Sequence, residues 1–161
     1  MNRPSPAPPE TDAPAEPRDT PLRATRLNSR LGFHIRMAQV AMHRDFLAAL
    51  KTLDLSQKSC AVLTLLGENP GIRQIDLANA LVTDRATMMA IVDRLQDRHL
   101  LYRERCKIDR RRQNLFLTEA GAEMLSRADA LIETHEARFT SQFSKAELAL
   151  LTELLTRVYR S

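Results

Sequence analysis

One interruption of helical periodicity constrains the fold of this 161-residue chain more than any other feature of its sequence. Tyr102–Cys106 and Asn114–Leu117 have the pattern of two short strands, and a basic segment, Lys107–Arg112, lies between them. Helical patterns precede and follow this hairpin, and four glycines are few for an all-β fold or a glycine-rich phosphate loop. The sequence therefore predicts a mainly α fold with a small β-hairpin.

Apolar side chains at helical spacing predict the elements around the hairpin. The predicted helices cover residues 28–50, about 57–68, 72–81, 85–98, 119–141 and a last segment that begins after Ser144. Their expected N-caps are Ser56, Asp84, Thr118 and Ser144, the last in a capping box with Glu147. The helix over 28–50 has two apolar stripes, so we expect it to pack on two sides.

The order helix, helix, turn, helix, hairpin is that of a winged helix-turn-helix. The turn Val82–Asp84 has a suitable length, and the exposed N-terminal half of the helix over 85–98 would enter the major groove of DNA. The hairpin would lie across phosphates or place Arg111, oriented by Asp109, in the adjacent minor groove. The predicted DNA-binding residues are Gln74, Arg85, Thr87, Met89, Ala90, Arg94, Lys107, Arg110, Arg111 and Arg112.

The distribution of charge favours the same partner. The formal net charge is only +4, but residues 103–112 alone contain six basic and two acidic side chains. Such a concentration of positive charge suits a phosphate backbone. The sequence contains no H-E-x-x-H, G-x-S-x-G, Walker A or G-x-G-x-x-G motif, so we expect no enzymatic activity. A helical protein-interaction module and a sequence-indifferent DNA-coating protein remain the alternatives.

Two stretches of the chain resemble the MarR family of transcriptional regulators. Residues 77–95 are similar to that family's third and fourth helices, and Asp109, Arg111, Leu117, Thr118 and Gly121 match its D-x-R…L-T-x-x-G wing motif. The resemblance covers roughly residues 28–160. It implies a homodimer joined by the first and last helices, which binds a pseudo-palindromic operator and represses genes until a small ligand or an oxidant releases it.

Three positions depart from the family pattern. His99 stands where the family usually has glycine, so it must adopt a left-handed backbone or bend the turn differently, at a cost of about 1 kcal/mol. Met89 and Ala90 replace a hydroxyl and a basic residue, which favours apolar contact with thymine methyl groups. Arg73 replaces the customary Ser or Thr cap, so Gly71 and the backbone would have to satisfy that helix start.

The family often has an effector cavity where the first helix meets the second and the long fifth helix. The candidate residues on the first helix are His34, Arg36, Met37, Val40 and His43. The opening Leu31–Arg36 is similar to a branch of the family that responds to aromatic acids or their coenzyme A thioesters, which implies an aromatic effector. The alternative, that these side chains simply cover the helix surface, stays open.

The remaining features set the expected boundaries of the domain. Residues 1–21 contain seven of the eight prolines and predict a disordered tail, followed by one domain over 22–161. Its DNA-binding lobe would span about 56–118, and its dimerisation helices about 28–50 and 119–160. Cys60 is expected to pack as a small hydrophobe. Arg105 and Lys107 would favour a reactive Cys106 by lowering its pKa, but an unreactive thiol is the main expectation. We expect no cofactor, no metal site at His34, His43, His99 or His135, no membrane span, and a cytoplasmic protein.

Overall fold

The computed structural model describes residues 25–105 and 113–160 of the chain. Its helices are α1 (Thr25–Asn28), α2 (Leu31–Ala49), the 3-10 helix η1 (Lys51–Leu53), α3 (Gln57–Glu68), α4 (Gln74–Ala80), α5 (Arg85–Asp97), α6 (Glu119–Thr140) and α7 (Lys145–Tyr159). Its strands are β1 (Ile72–Arg73), β2 (Leu101–Arg105) and β3 (Gln113–Leu117). The fold is mainly α with a small antiparallel sheet, as predicted.

The chain divides into two compact units, one that ends at Arg36 and one that begins at Met37. The described part of the first unit is α1 with the start of α2, where Nε2 of His34 lies 2.8 Å from the carbonyl oxygen of Asn28. All other elements belong to the second unit. Within the described residues, no helix is long and apolar enough to cross a lipid bilayer.

The sheet has three strands in the order β1-β3-β2, and both pairs are antiparallel. β2 and β3 pair along their whole length, from Leu101 with Leu117 to Arg105 with Gln113. The prediction that Ile72 and Arg73 open a helix is wrong, because they pair instead with Leu115 and Asn114 of β3. The helix therefore begins only at Gln74.

The core lies between α3, α5, α6 and the sheet. Its most completely buried side chains come from α3 (Val62, Leu63 and Leu66), α4 (Leu77), α5 (Met88, Val92 and Leu95) and the strands (Leu101 and Leu115). Burying side chains of this size contributes about 1.5–3 kcal/mol each. The helix-turn-helix and the hairpin thus share one core, which fixes the orientation of α5 against the sheet.

The predicted N-caps are confirmed at all four helices. The side chains of Ser56, Asp84, Thr118 and Ser144 each accept a hydrogen bond from the backbone N–H three residues later, and Ser144 and Glu147 form a capping box. The predicted helix over 28–50 is shorter, because α2 spans Leu31–Ala49. The turn η1 after α2 was not predicted.

Candidate nucleic-acid interface

Helix α5 presents one face to the core and the opposite face to solvent. Met88, Val92 and Leu95 are at most 1 % exposed and Ile91 is half-buried, which confirms most of the predicted stripe. The Asp84 carboxylate accepts the Thr87 N–H at 2.9 Å. Hydrogen bonds from the Thr87 side chain and from this N–H hold the pKa of Asp84 below its usual range. The exposed residues of the first two turns include every α5 residue predicted there to contact DNA, namely Arg85, Thr87, Met89 and Ala90.

The starts of α4 and α5 lie side by side. Gln74 and Arg85 both line a cleft of about 310 Å³, together with Ile75 and Ala78. Arg73 provides no side-chain cap to α4, as expected from its type, but donates two hydrogen bonds of 2.7 and 2.6 Å to the carboxylate of Asp76. This guanidinium lowers the pKa of Asp76. The structure thus brings two of the predicted DNA-contacting residues to one concave surface.

The C-terminal end of α5 is attached to the turn η1. Arg98 donates hydrogen bonds to the carbonyl oxygens of Leu53 at 2.9 Å and Asp54 at 2.8 Å. Arg94, which we expected to face DNA, is exposed but donates to the Asp54 carboxylate at 3.0 Å. Because a pair this exposed contributes at most about 1 kcal/mol, the two carbonyl contacts of Arg98, of which the one to Leu53 is partly buried, are the stronger link. Sequence analysis missed this anchor because its partners are about 45 residues apart.

A second anchor joins α5 to the sheet. The guanidinium of Arg103 on β2 donates to the carboxylate of Asp93 and, at 2.7 Å, to the side-chain carbonyl of Gln96. On the other side of the hairpin, the rings of Tyr102 and Phe116 stack with centroids 5.4 Å apart. The strands and α5 are therefore held in one orientation.

The contacts at the end of the hairpin explain why the family motif contains a threonine and a glycine at Thr118 and Gly121. The Thr118 hydroxyl donates to the carbonyl oxygen of His99 at 2.7 Å and accepts the Gly121 N–H at 2.9 Å. His99 has φ 56°, which confirms its predicted left-handed backbone. A Cβ at position 121 would lie 1.9 Å from the carbonyl oxygen of Leu100, so only glycine fits without a backbone shift. Thr118 and Gly121 together fix where the hairpin returns to α6.

The basic tip of the hairpin lies outside the described residues. Lys107, Arg110, Arg111 and Arg112, together with Asp109 and Cys106, fall in the segment between the end of β2 and the start of β3. The proline-rich residues 1–21 also lie outside the described part of the chain. The predictions for these residues therefore stay predictions.

The five candidate effector residues are all exposed. His34 and Arg36 belong to the unit that ends at Arg36, and Met37, Val40 and His43 belong to the second unit. In the second unit, a cavity of about 410 Å³ opens between α2, α3, α4 and α6; its wall includes Phe46, Gln57, Cys60, Ala61, Thr64, Leu65, Ala80, Leu81 and Ile132. None of the five candidates is part of this wall. His43 is nevertheless adjacent to it, because its Nδ1 lies 3.3 Å from the side-chain oxygen of Gln57.

Two buried groups near this cavity carry no predicted function. Cys60 is 3 % exposed, as expected of a small hydrophobe, and burial raises the pKa of its thiol to about 11. His135 on α6 is buried, with Nδ1 2.7 Å from the Asp45 carboxylate on α2, and Arg138 binds the other oxygen of that carboxylate at 2.7 Å. An ionised carboxylate only accepts, so Nδ1 donates. The hydrogen bond from His135 and the charge of Arg138 lower the pKa of Asp45.

The chain is similar in sequence to known transcriptional regulators. A sequence model described as the MarR family matches residues 55–112. A protein of Thauera aromatica assigned as a transcriptional regulator of the hcr operon is 33 % identical over 131 residues, which cover 81 % of this chain and 79 % of that protein.

Two solved structures are similar over most of the chain. The transcriptional repressor CouR bound to a 23-mer DNA duplex superposes with a TM-score of 0.83 at 33 % identity, covering 87 % of this chain and 99 % of the repressor. A structure of CouR bound to p-coumaroyl-CoA has a TM-score of 0.78 at 31 % identity, with coverage of 88 % and 99 %.

Proposed function

Because this chain belongs to the MarR family of transcriptional regulators, which are not enzymes, we propose that it is a homodimeric repressor of a pseudo-palindromic operator. The observation that carries the proposal is the exposed N-terminal half of α5, held by its core stripe and by Arg98 and Arg103. In this proposal α5 enters the major groove and the hairpin follows the phosphates. The repressor CouR, with the same fold, binds a DNA duplex.

The proposed DNA contacts divide into two groups. Gln74, Arg85, Thr87, Met89 and Ala90 would contact base edges and the nearby backbone from α4 and α5. The basic residues of the hairpin tip (Lys107, Arg110, Arg111 and Arg112) would neutralise phosphates or insert into the minor groove. Arg94 would act mainly through its bond with Asp54, which helps to hold α5.

The test is operator binding by fluorescence anisotropy, with DNA from beside the protein's own coding region and a range of salt concentrations. Arg111→Ala is expected to weaken binding by about 1–3 kcal/mol and to reduce the salt slope by about one. Lys51→Ala removes an exposed basic side chain of η1, outside the proposed DNA contacts and dimer interface, and is the control, expected to leave both unchanged. Equal affinity for a scrambled duplex would instead favour the DNA-coating alternative. Absence of any salt-dependent binding would favour a protein-interaction module.

The proposed dimer uses the long C-terminal helix. α7 spans fifteen residues and contains no buried side chain. Four of its leucines are between 39 % and 53 % exposed, namely Leu150, Leu151, Leu154 and Leu155. An exposed apolar stripe of this length is characteristic of a protein interface, and two copies of one helix can cover it symmetrically. We expect residues 22–50 and 119–160 to form the interface. Light scattering is expected to give a dimer that Leu151→Glu dissociates and that deletion of residues 1–21 leaves intact.

The proposed effector is a small aromatic acid or an aromatic acyl-CoA. The cavity of about 410 Å³ is mainly apolar and wide enough for an aromatic ring, and His43 and Gln57 stand beside it as polar groups. The other predicted effector residues of α2, His34, Arg36, Met37 and Val40, stay candidates for contact with the ligand. The neighbour that binds p-coumaroyl-CoA supports this class of ligand.

Effector release is tested by titrating the operator complex with free aromatic acids and their thioesters. If a ligand binds the DNA-free dimer 100-fold more tightly, DNA affinity falls 100-fold at saturation, about 2.7 kcal/mol. Ala61→Leu fills the cavity and is expected to abolish release while preserving DNA binding, whereas Thr52→Leu at an exposed position of η1 is the control. His43→Ala and Arg36→Ala are expected to weaken the response. Failure of both ligand classes to release DNA would contradict the proposal.

A further inference from the structure

The first two turns of α5 expose an unusual combination of side chains for a DNA-reading helix. Between Arg85 and Ala90 only Met88 is buried, and the exposed positions include Ala86, Met89 and Ala90. Met89 is 53 % exposed. These three residues are at positions i, i+3 and i+4, so they form one continuous apolar surface, opposite the stripe of Met88, Val92 and Leu95.

The chemistry of this surface limits which bases it can read. Adenine is recognised by the amides of Asn or Gln and cytosine by a carboxylate, and residues 85–90 contain neither type. The nearest carboxylate, that of Asp84, already accepts the Thr87 N–H at 2.9 Å as the helix cap. Besides the amide of Gln74 on α4, what remains is the Arg85 guanidinium, which suits guanine, the Thr87 hydroxyl, which is not selective, and the apolar surface. In the major groove, the apolar group that a base edge presents is the C5 methyl of thymine.

The contacts that hold α5 in place also allow this apolar surface to select one base over another. Arg98 bonds to the carbonyl oxygens of Leu53 and Asp54 at one end of α5, and Arg103 bonds to Asp93 and Gln96 along its side. A helix fixed at both places presents Met89 at one depth in the groove. The flexible methionine side chain can then adapt to a methyl group without any movement of the backbone.

We propose that Ala86, Met89 and Ala90 select thymine through its C5 methyl group, and that Met89 makes the main contact in each half-site. This inference rests on the proposed function, because it concerns how the same surface reads its operator. It predicts that the half-site contains at least one thymine whose methyl group, and not its hydrogen-bonding edge, determines affinity.

The experiment replaces single thymines by deoxyuridine, which removes only the methyl group. The operator is first selected from random DNA with the wild-type dimer, and each thymine is then replaced in both half-sites. We expect a loss of affinity of about 4–15-fold at one or two thymines per half-site, because one buried methyl group is worth about fourfold and each of the two half-sites loses one. The same replacement is expected to change the affinity of Met89→Ala less than 1.5-fold. Asp97→Ala, which alters an exposed residue in the last turn of α5, is the control and should retain the full loss.

The outcomes separate this inference from the function on which it rests. If the wild type selects one operator but no uracil replacement weakens binding, DNA recognition stands and methyl recognition is overturned. If Met89→Ala keeps the full uracil penalty, the inference is equally overturned, because another group then reads the methyl. If the wild type selects no DNA sequence at all, the proposed function itself fails, and this inference fails with it.

Discussion

Replacement of Gly121 by alanine tests how the hairpin is joined to the rest of the domain. Alanine is the better helix former by about 1 kcal/mol, so at an unhindered position in α6 the exchange would stabilise the protein. At position 121 the new Cβ would lie 1.9 Å from the Leu100 carbonyl oxygen and 3.3 Å from a Leu117 methyl group. The contact with the carbonyl oxygen must open by more than an ångström, and this backbone cannot simply rotate away.

The expected magnitude follows from what that shift disrupts. Overpacking of this kind costs about 1–3 kcal/mol. Moving the first turn of α6 also weakens the Thr118 cap, whose loss costs about 1 kcal/mol, and it displaces the bond from Thr118 to His99. After the gain of about 1 kcal/mol from helix propensity, the free energy of unfolding is expected to fall by about 1–3 kcal/mol.

The assay is urea unfolding followed by circular dichroism at one fixed protomer concentration, since dimerisation would make stability depend on concentration. With a slope of about 2 kcal/mol/M, the midpoint is expected to fall by about 0.5–1.5 M. Gly67→Ala is the matched control, because its Cβ would meet no backbone atom, only the ends of the flexible side chains of Leu125 at 2.9 Å and Leu117 at 3.7 Å. The reasoning is refuted if Gly121→Ala unfolds at or above the wild-type midpoint, or if Gly67→Ala loses as much stability as Gly121→Ala.

Three further predictions concern strain, acid and thiol reactivity. Val82, in the turn before α5, has φ 46° and is 94 % exposed. Because Asn tolerates a left-handed backbone better than a β-branched residue, Val82→Asn is expected to stabilise the protein by about 0.5–1 kcal/mol. Thermal unfolding would detect this gain, and an unchanged or lower melting temperature contradicts it. The pKa of Asp45 is lowered in the folded state by His135 and Arg138, so the stability that Asp45 contributes is present above about pH 4 and is lost as the pH falls through the folded pKa. Asp45→Asn should therefore flatten the decline of the unfolding midpoint below pH 4, and an unaltered acid profile would show that the pair does not contribute. Because burial raises the pKa of the Cys60 thiol to about 11, iodoacetamide at pH 8 is expected to modify Cys60 only after denaturation, as peptide mass spectrometry would show; rapid labelling of the native protein would contradict this.

The features that could be predicted from the sequence are those that depend on neighbouring residues. A helix cap needs only a short side chain and an N–H three residues later, so Ser56, Asp84, Thr118 and Ser144 could be identified from spacing alone. The left-handed backbone of His99 is local as well, because the chain must turn between a helix and a strand within three residues.

The features that were missed depend on distant partners. Ile72 continues the apolar spacing of the following helix. Only the pairing of Ile72 and Arg73 with Leu115 and Asn114, more than forty positions later, makes them a strand. The burial of His135 could not be predicted either, because its partner Asp45 is 90 positions away in the sequence. The candidate DNA-contacting residues of α5 followed from periodicity, whereas the bond of Arg94 to Asp54 did not.

The bonds of Arg98 to the carbonyl oxygens of Leu53 and Asp54 make α5 a lever whose pivot is at its C-terminal end. The thirteen residues of the helix span about 18 Å between their first and last Cα atoms, so the tip that carries Arg85 and Met89 is far from the pivot. Because Arg103 and the shared core hold α5 against the sheet, the two tilt together, and a tilt of about 5° about the pivot displaces the tip by about 1.6 Å over that length. Because η1 directly follows α2, we expect a small change in the direction of α2 to be enlarged at the N-terminal tip of α5.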